Sequence, residues 1–128
     1  MDRHEIALVV AGVVGSAGAV VHGVLTQRYL VEPFQERAGG AGSPMIARIG
    51  AVLLQFSTFN WFVGGLALVF AACALGREAR LAAGLLVGSS YLFAVLGNFW
   101  ASQGRHPGWV LYAVALGLIA YGLARPVV

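Results

Sequence analysis

His22 is the side chain of this sequence with the widest choice of chemistry, because it lies in an uncharged, apolar stretch that runs from Ile6 to Gln27. An imidazole there can bind a metal ion or haem iron, exchange a proton near neutral pH, or hydrogen-bond to a neighbouring helix. Haem held by two histidines of one chain is not favoured, since His106 lies beside a proline and His4 lies near the start. Two chains together can supply two copies of His22. His22 is therefore the main candidate ligand for a metal or cofactor, with a structural hydrogen-bonding role as the alternative.

Other polar side chains lie at a similar level of the predicted helices. Counted at ~1.5 Å per residue from the side of the chain termini, His22, Asn60 and Asn98 lie about 25–27 Å deep. Polar groups at such depth usually face protein or a water-filled cavity. We therefore predict a ligand-binding layer towards one membrane face, formed by His22, Arg28, Arg48, Gln55, Asn98, Arg105 and His106.

Several of these residues also have a structural interpretation. Arg48 and Arg105 can bind a carboxylate or phosphate through paired hydrogen bonds, or they can simply reach lipid phosphates at the membrane surface. Asn60 and Asn98 are candidates for hydrogen bonds between helices. His106 is a candidate for capping the turn in which it lies.

The elements that must position this layer are predicted to be membrane-spanning helices. Hydrophobic residues make up 59% of the 128 residues, 10% are charged, and the mean hydropathy is +0.83. Four segments of the sequence contain no Asp, Glu, Lys or Arg, and the length of each is near the ~20 residues that cross a bilayer core of about 30 Å. We predict an all-α integral membrane four-helix bundle, up-down-up-down, with both termini on the same side. It forms a single transmembrane domain, residues 1–128, with helices at about 6–26, 44–75, 81–102 and 107–124.

Local signals mark where these helices begin and end. Ser43 followed by Pro44 is typical of a helix start. Residues 27–43 form the longest connection, and we expect a short interfacial segment in it, broken by Pro33. The first apolar segment is longer than the ~7–15 apolar residues of a signal peptide, so we predict that it is retained. The predicted joints and turns are 39–43, 76–80 and 103–108.

Small residues predict which side of the first helix packs closely. Gly15, Ala19 and Gly23 recur at intervals of four, which favours close approach of another helix. His22 lies on the flank of this stripe, so it is expected to face protein. Trp61 is predicted to lie in the core, and the lone Cys73 is predicted to be a buried apolar thiol.

The distribution of charge gives little information about which side of the membrane the termini occupy. The net charge of +3 and the pI of 9.6 come from arginines distributed over all the loops, with no basic run or nucleic-acid motif, so no nucleic-acid partner is expected. The arginines divide evenly between the two predicted sides: Arg3, Arg77, Arg80 and Arg125 against Arg28, Arg37, Arg48 and Arg105. Because two of them crowd one short turn, we expect both termini to be cytoplasmic.

Three short motifs resemble those of a group of small four-span bacterial membrane proteins with no established activity. The matching residues are His22, Arg28, Pro33 and Phe34; Ser57, Thr58 and Trp61; and Arg105, His106, Pro107 and Trp109. The resemblance implies a multi-pass protein of the bacterial inner membrane. It also implies a Trp-His pair in the second helix, where this sequence has Leu54-Gln55. A glutamine amide binds metal ions poorly, which favours a hydrogen-bonding pocket over a metal centre.

The residues predict binding more readily than catalysis. We expect a small membrane protein whose polar site binds a small polar or amphipathic ligand, a lipid headgroup or a cofactor such as haem or a metal, the cofactor not being favoured. The alternative is an accessory or assembly subunit, with membrane lipids and a homo-oligomer or larger complex as partners. A small proton-coupled transporter is also open, with His22 in place of the membrane carboxylate of small multidrug exporters. No nucleophile-base pair, carboxylate pair or complete metal set is visible, so an enzyme is not favoured.

Overall fold

The computed structural model describes residues 1–40 and 43–124, and every regular element within them is a helix. The prediction of an all-α chain is confirmed for these residues. The continuous helix Arg3–Ala38 and the helices Pro44–Ala74 and Arg77–Ser102 are long and apolar enough to cross a membrane, whereas Gly108–Leu123 is apolar but shorter. The elements are α1 (Arg3–Thr26), a π-helical segment (Gln27–Val31), α2 (Glu32–Gly40), α3 (Pro44–Ala74), α4 (Arg77–Ser102) and α5 (Gly108–Leu123).

A reciprocal cap fixes the start of α1. The Asp2 carboxylate accepts hydrogen bonds from the backbone nitrogens of His4 and Glu5 at 2.9 and 3.0 Å. The Glu5 carboxylate in turn accepts one from the Asp2 nitrogen at 3.0 Å. Such a capping box satisfies N–H groups that the first turn of a helix leaves without partners. α1 therefore begins at Arg3, before the predicted start at Ile6.

The starts of α3 and α4 differ in how well the sequence predicts them. α3 begins at Pro44 after an extended Ser43, as predicted. The polar turn predicted over residues 76–80 is wrong, because α4 already begins at Arg77 with Gly76 as its flanking residue. Charged residues that resembled a loop instead form the first helical turn. Residues 41 and 42 of the predicted glycine-rich joint lie outside the described residues.

The first turn of α4 is tied to the start of α1 by an ion pair. The Arg80 Nη1 atom lies 2.6 Å from a carboxylate oxygen of Glu5, and both side chains are largely buried. The Arg80 Nε–H donates to the Leu75 carbonyl at 2.8 Å. A guanidinium has enough donors to serve a carboxylate and a helix end together. These contacts join the beginning of α1 to the connection between α3 and α4.

The segment that follows α1 stays helical, so the predicted break at Pro33 is wrong. The chain widens to a π-helix over Gln27–Val31, and the Glu32 N–H donates to the Gln27 carbonyl, five residues back. Pro33 then lies in the first turn of α2. A proline lacks an N–H and its ring collides with the carbonyl four residues before it. Widening the helix just ahead of Pro33 shifts the hydrogen-bond spacing and lets the helix continue.

α1 lies between α3 and α5, and α4 packs against α5 and α3. The closest approach joins Gly12 of α1 to Gly65 of α3, where a Cβ added to either glycine would collide with the other chain segment. The Ser16 hydroxyl donates across the same interface to the Phe62 carbonyl at 3.0 Å. The predicted small-residue face of α1 is confirmed, since Gly15, Ala19 and Gly23 are all buried.

Aromatic side chains fill the space between the helices. Trp61 is buried, as predicted, and Tyr91 reaches from α4 to the surface of α1, where it covers Gly15. The Tyr91 hydroxyl donates to the Trp61 carbonyl at 3.2 Å. Cys73 is exposed, so the prediction of a buried thiol is wrong. It lies on the side of α3 that no described helix covers.

Candidate functional site

His22 is held by hydrogen-bonding groups on its own helix and on α3. Its Nε2 atom lies 3.2 Å from the Thr26 hydroxyl and 3.4 Å from the Ser57 hydroxyl. The imidazole meets Trp61 edge to face, with ring centroids 4.7 Å apart. These contacts orient the ring, and they agree with the structural interpretation of His22. His22 also lines two cavities.

Two adjacent cavities lie beside His22. We call the first, of about 180 Å³ between α1, α4 and α5, the inner cavity. The second, of about 450 Å³ between the end of α1, the π-helical segment and the end of α4, is the outer groove. His22, Leu25, Asn98 and His106 line both. The inner cavity is completed by Ala17, Gly18, Val21, Gly108, Leu111 and Tyr112, and the outer groove by Thr26, Tyr29, Leu30, Ala101 and Ser102.

A tight reversal of the chain brings His106 to this space. Gln103 ends α4 in the left-handed conformation with a φ of 51°, and Gly104 follows with a φ of 76°. The Gly108 N–H then donates to the His106 Nδ1 atom at 3.0 Å, which confirms the predicted turn-capping role. Because Nδ1 accepts this bond, a neutral His106 carries its proton on Nε2 and is a donor there. One residue thus closes a turn and contributes to the cavity wall.

The two predicted asparagines, Asn60 and Asn98, make different hydrogen bonds. Asn60 donates to the Ser90 hydroxyl at 2.7 Å and joins α3 to α4, so its predicted bond between helices is confirmed. Asn98 instead donates to the Ala94 carbonyl of its own helix at 2.7 Å, and the same prediction is wrong for it. A primary amide has a second N–H and a carbonyl oxygen. Asn98 therefore keeps hydrogen-bonding capacity, and, unlike Asn60, it lines the inner cavity.

Tyr112 is the site residue that sequence reasoning missed. Its side chain is 3% exposed and lines the inner cavity, and its hydroxyl has no hydrogen-bond partner among the residues described. Its ring packs between Trp61 and Tyr91, with centroid distances of 4.8 and 5.0 Å. The signal was present in the sequence, because a hydroxyl within an apolar segment needs a partner.

Gln55 lines neither the inner cavity nor the outer groove. Its amide nitrogen lies 3.2 Å from both the Gly23 carbonyl and the Gln27 side-chain oxygen. Gly23 lies in the last turn of α1, and Gln27 is the first residue of the π-helical segment. Gln55 thus supports the irregular helix from α3, and it borders a separate surface depression with Val20 and Phe59.

The predicted arginines also lie apart from the cavity. Arg28, Arg48 and Arg105 are exposed, and none of them lines the inner cavity or the outer groove. The structure therefore gathers His22, Asn98 and His106 from the predicted set and adds Tyr112. Within residues 1–40 and 43–124, no charged side chain lines either space, and no group of three or more His, Cys, Asp or Glu is placed to hold a metal ion.

Comparison of the chain with known protein families, curated proteins and solved structures finds no match. The resemblance to small four-span bacterial proteins therefore stays a prediction, and function has to be inferred from the site itself.

Proposed function

We propose that this chain is a small integral membrane protein that binds a small amphipathic molecule in the space formed by the inner cavity and the outer groove. It spans the bacterial inner membrane as a four-helix bundle, up-down-up-down, with both termini cytoplasmic. The observation that carries the binding proposal is the pair of cavities beside His22, in which the polar side chains of His22, Asn98 and His106 share walls with mainly apolar residues.

The outer surface of the helices supports the membrane location. Large apolar side chains are exposed around the molecule, including Leu86 at 73%, Phe93 at 75% and Trp100 at 83%. Water penalises such exposure, whereas lipid does not. The connections at 75–76 and 103–107 are short, which favours antiparallel neighbours and hence the alternating topology.

The lining of the site supports an amphipathic ligand. Asn98 keeps one N–H and its side-chain oxygen for hydrogen bonding, and His106 also lines both cavities. The surrounding residues are mainly Ala, Val, Leu and Gly, so the rest of the ligand is apolar.

The experiment is to identify what co-purifies with the protein. Native mass spectrometry of the detergent-solubilised chain should show a bound hydrophobic molecule in stoichiometric amount. Ala101→Trp places a large ring in the outer groove and should reduce occupancy at least severalfold. Ala82→Trp is the matched control, since Ala82 is also exposed on α4 but lines neither space. Equal occupancy in the two variants, or no bound molecule in the unmodified chain, would refute the proposal.

A subunit role is favoured by one separate observation. Gly117 is exposed on α5, and a Cβ added there would meet nothing within 4 Å. An outward-facing glycine lets another transmembrane helix approach closely. We therefore propose association with a second copy or a larger complex as the alternative role. Gly117→Leu should abolish a dimer measured by light scattering, and a monomeric unmodified chain would exclude the homo-oligomer.

A further inference from the structure

We propose that the bound amphipathic molecule is a phospholipid of the bilayer, with one acyl chain in the inner cavity, its ester groups in the outer groove and an anionic headgroup at the membrane face. The inference rests on the proposed function and specifies the class of ligand. In the proposed orientation this face is periplasmic, so the lipid belongs to the outer leaflet of the inner membrane.

The two cavities lie at different depths. Along α1 the inner cavity extends down to Ala17, whereas the outer groove begins at His22 and continues into the π-helical segment. The five residues from Ala17 to His22 correspond to about 7.5 Å of helix. On α4, Asn98 lines both cavities, and Ser102, one turn nearer to the end of the helix, lines only the outer groove. The outer groove therefore lies nearer to the membrane face, and the inner cavity lies deeper in the hydrocarbon.

The residues that line only one of the two cavities differ in chemistry. Those of the inner cavity are apolar or small apart from one tyrosine: Ala17, Gly18, Val21, Gly108, Leu111 and Tyr112. Three of the five that line only the outer groove carry hydroxyl groups: Thr26, Tyr29 and Ser102. An apolar chain is therefore favoured in the deeper cavity. Ester and hydroxyl groups are favoured in the shallower one, because they can exchange hydrogen bonds with its lining.

The inner cavity is open to lipid at its side. Ala17, Val21 and Leu111 line it and are also exposed on the outside of α1 and α5, with Val21 at 59% and Leu111 at 37%. In a membrane these surfaces meet the acyl chains of the bilayer. A lipid chain can therefore enter the cavity from the side without leaving the hydrocarbon, while the head stays at the membrane face.

The charges at this face favour an anionic head. Residues 27–48 and 103–107 contain four arginines and two glutamates: Arg28, Arg37, Arg48 and Arg105, with Glu32 and Glu36. Arg28 directly precedes Tyr29, and Arg105 directly precedes His106, two residues that line the outer groove. Both arginines are exposed and line neither cavity. They therefore stay in the interfacial region, where a guanidinium can bind a lipid phosphate.

The test titrates two phospholipids with the same acyl chains, phosphatidylglycerol and phosphatidylcholine, into delipidated protein and counts bound molecules by native mass spectrometry. Phosphatidylglycerol should bind saturably at one molecule per chain, and more tightly than phosphatidylcholine. Arg28→Gln and Arg105→Gln should each weaken phosphatidylglycerol about fivefold, the effect of one basic residue near an anionic lipid surface, and should change phosphatidylcholine less. Arg77→Gln is the control, because Arg77 is also exposed but lies at the opposite end of α4.

A second pair of variants tests the position of the acyl chain. Val21→Trp places a large ring on the wall of the inner cavity and should weaken the binding of both lipids at least severalfold. Val20→Trp is the matched control, since Val20 is also exposed on α1 but lies about 100° round the helix and lines neither cavity. It should leave the affinity for both lipids unchanged.

The outcomes separate this inference from the function on which it rests. Equal affinity for the two lipids, unaffected by Arg28→Gln and Arg105→Gln, would overturn the anionic head. Equal effects of Val21→Trp and Val20→Trp would overturn the placement of the chain in the inner cavity. A co-purifying molecule that is not a phospholipid and is lost in Ala101→Trp would overturn the lipid assignment and leave a ligand-binding site in place. If neither lipid binds saturably and nothing co-purifies, both proposals fail.

Discussion

Removing one oxygen from each of two neighbouring tyrosines should change the stability of the ligand-free protein in opposite directions. Tyr91 and Tyr112 are matched in most respects: they are 0% and 3% exposed, and their rings meet at a centroid distance of 5.0 Å. They differ in the hydroxyl. Tyr91 donates to the Trp61 carbonyl, whereas the Tyr112 hydroxyl has no partner among the described residues.

The magnitudes follow from what each substitution removes. Tyr112→Phe deletes a buried, unsatisfied group and should stabilise the empty protein by about 1–3 kcal/mol. Tyr91→Phe deletes a made hydrogen bond and should destabilise it by about 0.6–1.5 kcal/mol, the lower figure being typical of bonds between transmembrane helices. The rings stay in place in both variants, so packing changes little.

The assay is reversible unfolding of the delipidated protein in mixed micelles with increasing sodium dodecyl sulfate, which yields the free energy of unfolding. Destabilisation by Tyr112→Phe in the ligand-free state would show that its hydroxyl is already satisfied, and it would refute the reasoning.

Two further predictions concern the packing between the helices. Gly65→Ala should destabilise the protein by about 1–3 kcal/mol in the same unfolding assay, because the added Cβ meets the backbone of α1. Gly97→Ala is the control: a Cβ added there has nothing within 4 Å, so this variant should be neutral or stabilising by up to about 1 kcal/mol. A double-mutant cycle of Asn60→Ala and Ser90→Ala should give a coupling of about 0.6 kcal/mol for the bond between α3 and α4, and additive effects would contradict the bond.

Apolar patterning predicts the helices and the position of the turn at 103–108, but it does not predict the backbone conformation within that turn. The start of α3 follows from the Ser43-Pro44 pair, and the buried face of α1 follows from its small residues. The approach of His106 to the inner cavity depends on the left-handed Gln103, a conformation that glycine usually supplies. Nothing local to Gln103 predicts it.

The sequence predicts the depth of each site residue along its helix, but it does not predict which way the side chain points. Counting residues places His22 and Asn98 at one level, and they do line one cavity. Asn60 satisfies the same count, yet it donates to Ser90 and lines neither the inner cavity nor the outer groove. A rule based on depth alone cannot separate these cases.

The position of the inner cavity has a consequence for how the protein is made. Its walls come from α1 on one side and from α4 and α5 on the other. Because α5 packs against both α1 and α4, the cavity cannot be complete until α5 has joined the helices made before it. A chain halted before α4 would therefore have no site, even if its first helices were already packed together.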